Sequence, residues 1–138
     1  MRLHPAARLR SAAIATGLLL GIVAVPGEAQ APVLAMLDGL QTGEWELRFR
    51  NGDAARRICV RNGRDLIQLR HRETGCNRYV VEDGASEVTV QYTCKGNGYG
   101  RTNIRRETST LVQLESQGRE GGSPFSFTAE GRRIGACR

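Results

Sequence analysis

The sequence has few aromatic residues, almost no lysine and little histidine. Of its 138 residues only 5% are aromatic: one Trp, three Phe and three Tyr. Nucleic-acid modules that interleave rings with positive charge need more than this, and no such signature is present. Lys95 is the sole lysine, so nearly all the positive charge is arginine, a compositional bias that does not by itself mark a nucleic-acid surface. His71 is the only histidine beyond residue 29, which excludes a histidine-pair mechanism there. There is no G-x-S-x-G, no H-E-x-x-H and no Walker loop. These absences point away from an enzyme and from any cofactor.

What the sequence does carry begins with an export signal. Arg2, Arg8 and Arg10 precede an apolar stretch from Ser11 to Val25, Pro26-Gly27 breaks it, and Gly27-Glu28-Ala29 offers small residues for cleavage. The stretch falls short of the roughly 20 residues a spanning helix needs. Residues 1–29 are therefore expected to be a signal peptide cut after Ala29, with no membrane span afterwards. No cysteine follows the stretch to take a lipid anchor. Without Arg2, Arg8, Arg10 and Glu28, the 20 basic and 14 acidic side chains become 17 and 13, a mildly basic +4. The expected location is periplasmic or secreted.

All four cysteines, Cys59, Cys76, Cys94 and Cys137, lie beyond the signal. An even count in a small exported chain reads as two disulfides. No C-x-x-C pair is present, so a metal site is not expected. Three connectivities are possible. Local loop closure favours Cys59–Cys76, leaving Cys94–Cys137 to tie a central strand to the last one.

Val33, Met36, Leu37 and Leu40 recur at helical spacing, so residues 30–42 form either a short helix or a mobile leader. From Gly43 the period becomes two: Trp45, Leu47 and Phe49 alternate with Glu44, Glu46, Arg48 and Arg50. Asn51-Gly52 turns this strand into another over Ala55–Arg61. Asp65–His71 reads as a short helix with Asp65 as cap. Further strands are expected at Cys76–Val81, Glu87–Cys94, Thr102–Thr108 (an edge, with Ile104 its one strong apolar residue), Leu111–Ser116 and from Phe125, with Gly131 at a bulge. Residues 43–138 thus predict a mainly β domain: an antiparallel meander or small barrel-like sheet with one or two short helices.

Few residues offer chemistry. His71 sits among Arg70, Arg72 and Glu73, the pattern of a solvated helix end, so a hydrolase built on it ranks third among the functions considered. Glu44 and Glu46 share a strand face with Arg48 and Arg50, which reads as exposed ion pairing rather than a carboxylate pair for catalysis. Gly96-Asn97-Gly98-Tyr99-Gly100 is glycine-rich, yet it leads into a strand and so lacks the helix start of a phosphate loop. The arginines Arg101, Arg105, Arg106, Arg132 and Arg133 gather if their strands are neighbours, and guanidinium groups pair bidentately with phosphate and carboxylate.

The Gly43-Glu44-Trp45-Glu46 opening, the four spaced cysteines, Cys94-x-Gly96 and the Gly131-Arg132-Arg133-Ile134-Gly135-Ala136-Cys137 ending resemble the exported bacterial family known as domain of unknown function 3617. The resemblance covers about residues 43–137. It implies an exported β-rich domain and supplies no catalytic residues. The leading expectation is a binding or envelope-associated protein that takes an anionic envelope component through Arg106, Arg132 and Arg133. The alternative is a protein-directed inhibitor or chaperone-like module that uses the Gly96–Gly100 loop and Tyr99.

Overall fold

The computed structural model describes residues 33–138. The expected signal peptide and residues 30–32 lie outside them. A short helix α1 (Ala35–Asp38) is followed by seven strands: β1 (Gly43–Phe49), β2 (Arg56–Val60), β3 (Asn77–Asp83), β4 (Glu87–Cys94), β5 (Gly98–Thr108), β6 (Leu111–Glu120) and β7 (Ser123–Gly135). All pairings are antiparallel, and the single sheet runs β2-β1-β7-β6-β5-β4-β3. Strands β3 to β7 are a meander, and the β1–β2 hairpin is added beyond β7.

Strands β2 and β3 are the two edges and do not pair with each other, so the sheet is open. Laid flat, six strand spacings would hold these edges about 29 Å apart. Residues of both edges nevertheless line one cleft, so the sheet curls strongly around its buried face. The period-two patterns decide which face that is. Trp45 and Leu47 of β1, Val88, Val90, Tyr92 and Cys94 of β4, and Val112 and Leu114 of β6 are all buried. Met36 and Leu37 of α1 pack on this face together with Leu66 and Ile67. Gly63 lies so close to α1 that an added Cβ would stand 2.2 Å from the Leu37 carbonyl oxygen.

Several expectations are corrected. The bonds are Cys59–Cys137 and Cys76–Cys94, not Cys59–Cys76 with Cys94–Cys137. Register is the reason. Asn77 faces Thr93 in the β3–β4 hairpin, which sets Cys76 opposite Cys94 with Cα atoms 4.4 Å apart. Glu44 pairs with Cys59 on one side and Gly135 on the other, so Cys137 reaches Cys59 across the start of β1.

The Asp65–His71 helix is instead a 3-10 turn over Gly63–Leu66. Its cap is Asn62, and Asp65 completes a capping box by accepting from the Asn62 backbone N–H. Strand β5 is interior rather than an edge: beside Ile104 its inward positions are the small Gly100 and the polar Thr102, which donates to the Ile67 carbonyl and shares a hydrogen bond with Ser116. Thr89, expected outside, is buried and accepts from Asn103. The β7 irregularity falls between Arg133 and Gly135 rather than at Gly131.

Candidate functional site

The connection from β2 to β3 must travel from one sheet edge to the other. It crosses the buried face and leaves a cleft of about 580 Å3 between Arg56, Ile58 and Cys59 on one side and Cys76 and Arg78 on the other. Alternation on β2 turns Arg56 to the same side as buried Val60, and on β3 it turns Arg78 to the same side as half-buried Val80. Arg72 enters from the connection itself.

Four arginines, Arg56, Arg64, Arg72 and Arg78, meet two carboxylates in this cleft, and both carboxylates are engaged. Asp65 accepts from the Arg61 and Asn62 backbone N–H groups. Glu73 accepts from the Asn97 side-chain amide at 2.6 Å, a bond that holds its pKa below the ordinary carboxylate range. Arg64 is paired with Asp38 of α1. Among the described residues Arg56, Arg72 and Arg78 have no carboxylate within ion-pair distance. Arg56 donates to the Leu69 carbonyl at 3.2 Å, while its Nε is buried with no partner. Burial, and then the charges of Arg72 and Arg70, hold the Arg56 pKa below its ordinary value. Arg78 donates to the Gln68 side-chain oxygen at 2.6 Å, and Arg72 makes no hydrogen bond among the described residues.

Beneath the cleft lies His71, only 1% exposed. This corrects the expectation of a solvated helix end: with no helix there, the charges of Arg70 and Arg72 turn out while the imidazole turns in. Its Nε2 is 3.1 Å from the Asn97 carbonyl oxygen, which can only accept, so Nε2 carries the hydrogen. Its Nδ1, 3.1 Å from the Tyr92 hydroxyl, then accepts from it. Both ring nitrogens are held by protein atoms.

The Tyr92 ring lies against Gly100, directly opposite in register, where an added Cβ would stand 2.3 Å from the hydroxyl oxygen. Burial first, and then the charges of Glu120 and Glu73, push the Tyr92 pKa up to about 12 from 10.0. The folded protein therefore keeps a proton that the unfolded chain releases above pH 10. Stability is expected to hold up to that pH and to fall by about 2–3 kcal/mol as the pH rises toward 12. Urea midpoints taken across that range should fall more steeply in the parent protein than in Tyr92→Phe, the difference being the Tyr92 contribution.

The three arginines first singled out do not form one cluster. Arg106 aligns with buried Val112 and Gly131 and donates to the Ala85 carbonyl. Arg133 shares the Trp45 side of the sheet and donates to the Thr42 carbonyl at 2.7 Å. Arg132 faces the opposite way, beside Glu46, and pairs with Glu130 at 3.3 Å. Glu46 accepts from Arg48 and faces Arg57, as outer-face ion pairing requires. Glu73, Cys76 and Cys94 bring ligand-type atoms together, yet the two sulfurs are bonded to each other. Arg56, Arg72 and Arg78 escape notice in the sequence because only the approach of two sheet edges assembles them.

Residues 40–137 match the family model described as Protein of unknown function (DUF3617). No curated protein and no solved structure matches the chain.

Proposed function

For a chain that belongs to the DUF3617 family, described only as of unknown function, we propose a binding role: an exported protein that takes an oxyanion, phosphate or carboxylate, in the cleft between its two sheet edges. The observation that carries this reading is the set of three guanidinium groups, Arg56, Arg72 and Arg78, around one cleft and without carboxylate partners among the described residues. Inward-pointing charges on edge strands also discourage edge-to-edge association, which would account for Arg56 and Arg78. Arg72 is on no strand and has no such use. Export is supported by the Ser11–Val25 stretch and by the pairing of every cysteine. No helix among the described residues is long and apolar enough to cross a membrane.

Isothermal titration with pyrophosphate tests the site. Arg72→Ala with Arg78→Ala is expected to weaken binding at least about tenfold, since each charge-assisted bond contributes about 1.5–3 kcal/mol. Affinity should also fall steeply with salt. The double variant Arg132→Ala and Arg133→Ala is the comparison. If it loses binding while the cleft variant keeps it, the outer strand face is the site and the cleft is not. A second reading, a protein-directed module, draws on Tyr79 and Tyr99, which are 71% and 45% exposed. Binding through such aromatic anchors would be insensitive to salt.

A further inference from the structure

The cleft does not end at Arg56. Arg56 and Leu69 also line a second hollow of about 480 Å3, within the size range of small-molecule sites. The rings of Phe49, Phe125 and Phe127 share its lining with Ala54 and Pro124 and with the polar side chains of Asp53, Arg70 and Ser126. The phenyl rings form a continuous partly exposed surface. Phe49 meets Phe127 edge-on at 5.5 Å, and Phe127 stacks on Phe125 at 6.3 Å. Two guanidinium groups flank them, Arg56 at 5.8 Å from the Phe49 centroid and Arg70 at 5.8 Å from that of Phe125. Arg70 is neutralised by Glu120 at 2.6 Å, whereas Arg56 is not neutralised by any described carboxylate. A cleft with three arginines that have no carboxylate partner among the described residues thus continues, through Arg56, into a hollow that three phenyl rings line in part.

We propose that the ligand is an anionic amphiphile, with its oxyanion head among Arg56, Arg72 and Arg78 and its hydrocarbon chain along Phe49, Phe127 and Phe125. This rests on the cleft reading above and adds the chemistry of the rest of the molecule. Arg56 lies where head and chain join: it lines both spaces, and its guanidinium group sits over the Phe49 ring on the path of the chain. Each methylene taken from water onto such a surface strengthens binding, so affinity is expected to climb with chain length and not with head charge alone.

The test compares inorganic phosphate, octyl phosphate and octanoate by isothermal titration, below the concentrations at which the amphiphiles aggregate. Octyl phosphate is expected to bind at least about 30-fold more tightly than phosphate. Octanoate tells a carboxylate head from a phosphate one: a comparable gain assigns fatty acids to the site, and a much weaker one assigns phosphorylated lipids. Ala54→Glu sets a carboxylate at the mouth of the hollow from an exposed loop position and should erase the chain-length gain, read as the ratio of octyl phosphate to phosphate affinity on the same variant, because a charge so near Arg56 also weakens phosphate itself. Equal affinity for phosphate and octyl phosphate overturns the amphiphile and leaves the oxyanion cleft standing. Binding of none of the three probes overturns both. A chain-length gain that survives Ala54→Glu and the Arg72→Ala, Arg78→Ala pair alike places the chain elsewhere and overturns the assignment.

Discussion

Serine in place of both Cys59 and Cys137 is expected to lower the unfolding free energy by about 4 kcal/mol, and the same change at Cys76 and Cys94 by about 3 kcal/mol. The order follows from what each bond closes, a separation of 78 residues against 18. Each bond also clamps one edge of an open sheet. Strand β2 has five residues and pairs with β1 alone, so Cys59–Cys137 is its second attachment. Strand β3 pairs only with β4, and Cys76–Cys94 closes the end of that hairpin. Urea midpoints of the two double-serine proteins measure the difference. A larger loss at Cys76 and Cys94 would show that local clamping outweighs the loop term. Proteolytic peptides from the unreduced protein should carry Cys59 linked to Cys137.

His71→Ala is expected to cost about 3 kcal/mol. It removes a ring that is 1% exposed, leaves the buried Tyr92 hydroxyl without its partner and takes one of two donors from the Asn97 carbonyl. A buried polar group left unpaired costs about 1–3 kcal/mol, and the cavity adds to it. The turn that enters β5 should loosen too, because Asn97 also receives the Gly121 backbone N–H on its carbonyl oxygen and donates to Glu73. His71→Gln keeps a donor for the Asn97 carbonyl and should recover part of the loss. Denaturation midpoints, with hydrogen exchange across Cys94–Gly98, would measure both effects. Unchanged stability together with a lost hydrolytic activity would instead restore the catalytic reading of this residue.

The strands were legible wherever alternation was strong, as over Trp45–Phe49 and Glu87–Cys94. It failed at β5, whose inward face is built from Gly100, Thr102 and Ile104. Gly100 makes room for the Tyr92 ring, and Thr102 supplies a donor to the crossing connection, so neither shows as an apolar position. The pairing of Cys76 with Cys94 was also within reach. A hairpin that turns between Asp83 and Glu87 reflects residue 76 onto residue 94, and pairing the cysteines by nearness in sequence passed over that symmetry. The cleft was beyond reach. Its arginines come from two edge strands at opposite ends of the sheet order and from the connection between them, and only curling brings them together.

The placement of β1 and β2 beyond β7 sets the order in which this chain can mature. Trp45 and Leu47 belong to the first of the described strands, and their sheet neighbour on one side is the last of them, Ser123–Gly135. As the chain emerges from its N-terminus, the β1–β2 hairpin has no docking partner until Ser123–Gly135 has been made, whereas β3 to β6 can pair locally as they appear. Contacts of such long sequence separation are slow to form. Cys59 likewise meets its bonded partner only once Cys137, 78 residues further on, has been made. A chain cut short before Ser123 would be left with an exposed tryptophan and an unpaired thiol, the two marks by which a chaperone or an oxidising enzyme recognises an unfinished protein.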